Sequence, residues 1–198
     1  MIETFAIANY RSLRDVVTPL SQLNVVTGAN GSGKSNLYKA LRLLAESASG
    51  SMINALAKEG GLDSAFWAGP ESISRDMKAG RVAVQGGPRK NVVRLKLGFS
   101  GEDFGYCIAL GLPTPSSSKF ALDPEIKREC IWAGPYYRPA GCLVDRNGPL
   151  VKVRSGRSWE VYARHISSFE SILNEIADPV ATPEIFSIRQ AVRGWRFY

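Results

Sequence analysis

"TGANGSGKSNL", residues 27–37, is the stretch whose reading decides the fold. Gly28-Ala29-Asn30-Gly31-Ser32-Gly33-Lys34-Ser35 fits the pattern G-x-x-x-x-G-K-[ST]. In that pattern the backbone N–H groups of the loop wrap a phosphate, and glycine is needed where a Cβ would block the approach or forbid the backbone angles. A helix that follows directly aims the positive end of its dipole at the same anion. Lys34 then brings a charge to the β- and γ-phosphates, and the Ser35 hydroxyl becomes a ligand for Mg²⁺.

The flanks supply the context such a loop needs. Residues 2–8, "IETFAIA", read as a short strand, and 20–27, "LSQLNVVT", end in a β-branched apolar run that predicts a buried strand. After the loop, Leu37, Ala40, Leu41, Leu44 and Ala45 fall on one face of a helix beginning near Ser35. The order is therefore strand, loop, helix. Residues 47–80 are rich in Gly, Ser and Ala and read as a linker with a short helix near "MINALAKEG".

Farther on the period changes to two. Val93, Leu95, Leu97 and Phe99, then Tyr106, Ile108, Leu110 and Leu112, alternate with other residues around the turn "SGEDFG", which predicts a hairpin with one apolar face. "PTPSSSK", residues 113–119, reads as a loop, and "CLVDRNGPLVKV", 142–153, as a second hairpin turning at Asn147-Gly148. In the tail, Phe169, Ile172, Leu173 and Ile176 share a helical face; Pro179 ends that helix. Thr182-Pro183 starts another, striped by Ile185, Ile188, Val192 and Trp195. That last helix runs to Tyr198 without a stop signal, so the sequence reads as cut before a further lobe. Its apolar stripe is expected to pair with another copy or to fold back across the sheet.

A chain of 198 residues suffices for one domain with a real core. No apolar run is long enough for a membrane helix. Glu3 sits where a secretion signal would be basic, so a cytoplasmic protein is expected. Cys107, Cys130 and Cys142 are widely spaced and His165 is the sole histidine, which argues against zinc and disulfide frameworks and for reduced thiols. The net charge of +7 suits a polyanionic partner, but the basic residues (Arg75, Arg81, Arg89, Lys90, Arg94, Lys96, Arg154, Arg157) are scattered.

Asn30 followed by Gly31-Ser32-Gly33-Lys34-Ser35-Asn36-Leu37, with "NYRSL" at 9–13 upstream, resembles the P-loop lobe of the RecF, SMC and ABC-like ATPases. The match is close over residues 2–46, and the ending "GWRFY" resembles a stretch of the larger AAA-labelled ATPases of this group. The resemblance implies an α/β fold: a P-loop NTPase N-terminal lobe, with a strand, loop and helix core in 1–46, an antiparallel β-subdomain in 82–162 and a helical end in 167–198. It implies ATP and Mg²⁺ as cofactors, held by Gly28, Asn30, Gly31, Ser32, Gly33, Lys34, Ser35 and Asn36, with Arg11 beside the nucleotide. Ser35 would be the metal ligand. It also implies a second lobe ending an apolar strand in Asp-Glu, and a second copy that closes on the nucleotide as a dimer of heads. DNA or a nuclease-like effector would be a further partner.

The Asp-Glu strand is missing from these residues. "CLVD" at 142–145 comes nearest, but Arg146 and Asn147-Gly148 make it one arm of a hairpin. No catalytic residue is thus identified, and hydrolysis is expected only from a complete two-lobe protein. Two other classes stay open: a small-molecule P-loop kinase, and a nucleic-acid-binding module that holds ATP without turnover. Arg11 reads equally as a solvated turn residue. Glu129 is a strand-edge carboxylate or a group facing Mg²⁺, and Trp132, Tyr136, Tyr137 and Arg138 are packing residues or a stacking surface for bases.

Overall fold

The computed structural model describes residues 1–87, 91–115, 117 and 122–198. Arg89, Lys90 and part of the 113–119 loop expectation (residues 116, 118 and 119) lie outside the described residues. The described chain is built on one sheet of eight strands in the order β2-β1-β3-β4-β5-β6-β7-β8. These are β1 (Ile2–Tyr10), β2 (Leu13–Pro19), β3 (Leu95–Gly101), β4 (Phe104–Gly111), β5 (Glu125–Ala133), β6 (Cys142–Asn147), β7 (Leu150–Ser155) and β8 (Ser158–Ala163). Every neighbouring pair is antiparallel. Mixed α/β character is confirmed, with an antiparallel sheet as its centre.

Strand alternation gives the sheet two unlike faces. Phe5 and Ile7, Leu95 and Leu97, Tyr106, Ile108 and Leu110, and Ile131 and Val144 are buried on one face. The helices α1 (Lys34–Glu46), α2 (Met52–Lys58), α3 (Gly61–Ala65), α5 (Ile172–Glu175) and α6 (Pro183–Arg193) contribute Leu43, Leu44, Leu56, Leu62, Leu173 and Ile188 to the same core. A short α4 (Arg75–Lys78) buries nothing. The residues between, Ala6, Ala8, Gly98, Ser100, Cys107 and Ala109, are small and lie on the opposite face. Among the described residues no helix is long and apolar enough to cross a membrane.

Both expected hairpins form: β3 pairs with β4 from Leu95↔Leu110 to Ser100↔Gly105, and β6 turns into β7 at Gly148, whose φ is 57°. Three expectations are corrected. Residues 20–27 are in no strand, and Leu23 and Val25 are 81% and 78% exposed. Apolar β-branched residues make a strand only when a neighbour supplies the other half of each hydrogen bond, and here β2 ends at Pro19, whose missing N–H and exposed position suit an edge. The second correction is residues 47–80. Their first half is packed structure, with Ala48, Met52, Leu56, Leu62 and Ala65 buried in the core. Small residues there let α2 and α3 lie close against α1 and the β1–β2 turn.

A third correction concerns the last helix, which does not run to Tyr198: α6 stops at Arg193 with Gly194 as its cap, a stop signal within the sequence, and its apolar stripe folds back. Ile185, Ile188 and Val192 are buried, and Trp195 meets Phe99 edge-on with ring centroids 5.3 Å apart. Phe197 lies edge-on to Tyr38 of α1 at 5.8 Å, and the Tyr38 hydroxyl donates to the Tyr198 carbonyl at 3.1 Å.

Candidate functional site

The glycine-rich loop joins the exposed 20–27 segment to α1. Gly31 and Gly33 have φ of 82° and 99°, values that side-chain-bearing residues rarely adopt. A Cβ on Gly33 would also stand 2.8 Å from Ser12 Oγ, and one on Gly28 would stand 2.7 Å from Ser32 Oγ. At Gly31 the space is open. The loop is thus shaped by its glycines at both ends and accessible at the centre. Gly33 caps α1, and its carbonyl accepts from the N–H groups of Asn36 and Leu37 at 3.0 Å each. The free N–H groups of the first turn open toward the loop.

Lys34 is turned back over the loop. Its Nζ donates to the carbonyls of Gly28 at 2.6 Å and Ala29 at 2.7 Å. An ammonium has three donors, so one remains for an anion in the cradle. Asn30, Gly31, Ser32 and Ser35 are exposed around it. Asn36 serves as a tie: its Nδ2 donates to Ser12 Oγ at 2.8 Å, joining α1 to the β1–β2 turn.

That turn, the "NYRSL" segment, is strained and held in place. Asn9 and Arg11 both have left-handed backbone, φ 62° and 48°. An arginine there costs about 1–2 kcal/mol and persists only where its surroundings fix it. The Arg11 N–H donates to the Ala65 carbonyl at 2.8 Å, and its guanidinium grips Glu59 Oε2 from Nη2 at 2.7 Å and Nε at 3.1 Å. Tyr10, fully buried, donates its hydroxyl to the same carboxylate oxygen at 2.9 Å. Burial, with Glu59 beside it, pushes the Tyr10 phenol up to about 12. Glu59, by hydrogen bonding, raises Arg11 as well. Arg11 therefore sits in the expected turn, one residue from the Ser12 that touches the loop, with its charge directed at Glu59.

A groove of about 570 Å³ begins at Ser35 and follows α1 past Lys39 and Arg42 to α2. Two carboxylates line it with Ser35, and both are engaged. Glu59 holds Tyr10 and Arg11, while Glu46 accepts from Ser49 and Ser51.

The other candidates lie elsewhere. Glu129 is completely buried in an ion pair with Arg146 at 2.6 Å and is neither a strand edge nor a metal-facing group. Its carboxylate also accepts from Tyr106 at 2.6 Å, Ser171 at 2.5 Å and the Ile172 N–H at 3.1 Å. That pair is the main feature the sequence does not reveal, because only the β5–β6 register sets the two residues opposite each other. Trp132 is buried edge-on against Tyr137 at 5.6 Å, while Tyr136 is exposed. Asp145 of "CLVD" pairs with Arg128 on the sheet surface, and His165 is exposed.

Residues 1–85 match the model of the family described as the AAA ATPase domain. No curated protein matches the chain. The family match covers the β1–β2 turn, the loop, α1 and the helices behind them. It supports an AAA-type ATPase region there and a nucleotide-binding, ATPase-like function.

Proposed function

We propose that this chain is the nucleotide-holding lobe of a P-loop ATPase of the RecF/SMC/ABC-like kind, binding Mg²⁺-ATP at Gly28–Asn36. The observation that carries the reading is the loop itself. Its glycines hold backbone angles and close approaches to Ser32 and Ser12 that a Cβ would disturb, its centre at Gly31 is open and exposed, and Lys34 is fixed over it with a donor to spare. Those residues fit a triphosphate. The loop amides and Lys34 would hold the β- and γ-phosphates, and the Ser35 hydroxyl would hold the metal. Bound Mg²⁺ would neutralise charge between the phosphate oxygens.

Hydrolysis needs more than this grip. A carboxylate must orient the attacking water, and the two that share the groove with Ser35 are already committed, Glu59 to Tyr10 and Arg11 and Glu46 to two serines. We assign that role to a second lobe and to a second copy of the head closing on the nucleotide. The β1–β2 turn would then act as a support, holding the loop through Ser12, Asn36 and Gly33.

Calorimetric titration with Mg²⁺-ATP tests the grip. The unaltered chain is expected to bind, and Lys34→Ala to weaken binding at least about tenfold, the equivalent of about 1.4 kcal/mol. Equal affinities would remove Lys34 from the site. Turnover by this chain alone is expected near background; a Lys34-dependent rate of about 1 s⁻¹, ordinary for an enzyme, would place the catalytic carboxylate within it.

A further inference from the structure

The open face of the sheet carries a feature unrelated to the phosphate loop. One row of directly opposed residues runs across it: Val17, Ala6, Gly98, Cys107, Cys130, Asp145 and Lys152. Cys107 and Cys130 are neighbours in that row on β4 and β5, and their sulfurs lie 3.2 Å apart. Both are free thiols. A disulfide bond is about 2.05 Å long, so side-chain adjustment of little more than about 1 Å separates the pair from bonding.

The surroundings make the two thiols unequal. Cys107 is half-buried and lines a trough of about 410 Å³ on this face. Its other neighbour in the row is Gly98, where even a Cβ would come within 3.0 Å of Cys107 Cβ; the missing side chain leaves the sulfur approachable from the trough. Cys130 is buried, packed with Trp132 and Cys142. Hydrogen bonding to Cys130 lowers the Cys107 thiol, helped by Arg128, whereas contact with Cys107 and Cys142 raises Cys130. Cys142 is also lowered, but it is buried and bonded to the Val144 carbonyl. Among the described residues no group of three His, Cys, Asp or Glu side chains is arranged to hold a metal ion.

We propose that Cys107 and Cys130 form a thiol–disulfide site on the open face, with Cys107 the attacking thiol, Cys130 the resolving one, and a small disulfide such as oxidised glutathione as the oxidant. In the first step the Cys107 thiolate attacks one sulfur of the small disulfide. That S–S bond breaks, a mixed disulfide forms on Cys107, and the departing thiolate takes up a proton. In the second step Cys130 loses its proton and attacks the Cys107 sulfur, releasing the second small thiol. Two protein thiols are oxidised to one disulfide, and one small disulfide is reduced to two thiols. The attacking thiol needs thiolate character and access, and the resolving thiol needs proximity; the structure divides these properties between the two residues in that way.

The test uses the whole folded chain, reduced and then incubated with oxidised glutathione, followed by alkylation of remaining thiols and peptide mapping by mass spectrometry. The expected product is a Cys107–Cys130 disulfide with Cys142 alkylated. Cys130→Ser should stop at a glutathione adduct on Cys107, and Cys142→Ser should react like the unaltered chain. Cys107→Ser should slow glutathione release at least about tenfold. The order of alkylation by iodoacetamide in the unaltered chain, with Cys107 first, needs no variant and so stands even if a serine variant fails to fold. A first adduct on Cys130 or Cys142, a Cys130–Cys142 disulfide, or reaction only after unfolding would each overturn the proposal.

Discussion

Replacing Glu129 by Gln changes one atom type in the core and should cost more than any surface change in this protein. In the folded chain Arg146 is completely buried and its guanidinium has four acceptors. Nε donates to the Gly148 carbonyl at 2.8 Å. Nη1 donates to Glu129 and to the Glu170 carbonyl, and Nη2 to the Ser167 carbonyl, each at 2.6 Å. Glu129→Gln keeps the shape but leaves the arginine charge uncompensated in the interior. Breaking one partner of a buried pair costs about 3–5 kcal/mol. For a chain of this size each kcal/mol lowers the melting temperature by about 2–4 °C, so a fall of roughly 6–20 °C is expected. Total stabilities run from about 5 to 15 kcal/mol, so the loss is a large share.

The design of the comparison separates charge from shape. Arg146→Met should be about as damaging, because it strands the Glu129 carboxylate and frees the Ser167 and Glu170 carbonyls that the guanidinium ties down. Glu129→Leu with Arg146→Met together removes both charges. It should recover at least about 1 kcal/mol relative to the summed losses of Glu129→Leu and Arg146→Met made singly, the range seen for contacting residues. Recovery stays partial because the Tyr106 and Ser171 hydroxyls lose their shared acceptor. Urea unfolding measures all four variants, and hydrogen exchange should show residues 167–176 opening first in Arg146→Met. A loss under about 1 kcal/mol in Glu129→Gln, or strict additivity in the double variant, would refute the reasoning.

Two further predictions follow from the same packing. The Tyr10 phenol is pushed up to about 12 in the fold from an ordinary value of 10.0. The folded state therefore keeps a proton that the unfolded chain gives up, and this contribution, complete below pH 10, is lost as pH rises through 12. Melting curves between pH 9 and 12 should fall less steeply for Tyr10→Phe than for the unaltered chain. In the 20–27 segment, Val25→Ser should change stability by less than about 0.5 kcal/mol because the side chain is 78% exposed; a loss of about 1.5 kcal/mol or more, the worth of a buried valine, would mean the segment is packed after all.

What could be read from the sequence was whatever depends on residues close together in the chain. The phosphate loop depends on glycines at fixed offsets before a helix. The β3–β4 and β6–β7 hairpins depend on alternation around a turn residue such as Gly148. The α6 stripe announced that it would be buried, and the structure shows it buried against the chain's own sheet. What could not be read depends on register. Glu129 and Arg146 look like surface charges in their strands until β5 and β6 are aligned, when they become direct opposites on the helix-covered face. Cys107 and Cys130 are likewise made neighbours only by the β4–β5 register. The "LNVV" run, residues 23–26, shows the limit from the other side. Its apolar β-branched residues state a preference for burial, but a strand is a property of two segments, and β2 turns away at Pro19 before any described strand can pair with it. Composition can tell that a segment suits a sheet. The hydrogen-bonding partner that would put it in one has to be found elsewhere, and the exposed loop beside the phosphate cradle is what the same residues form without it.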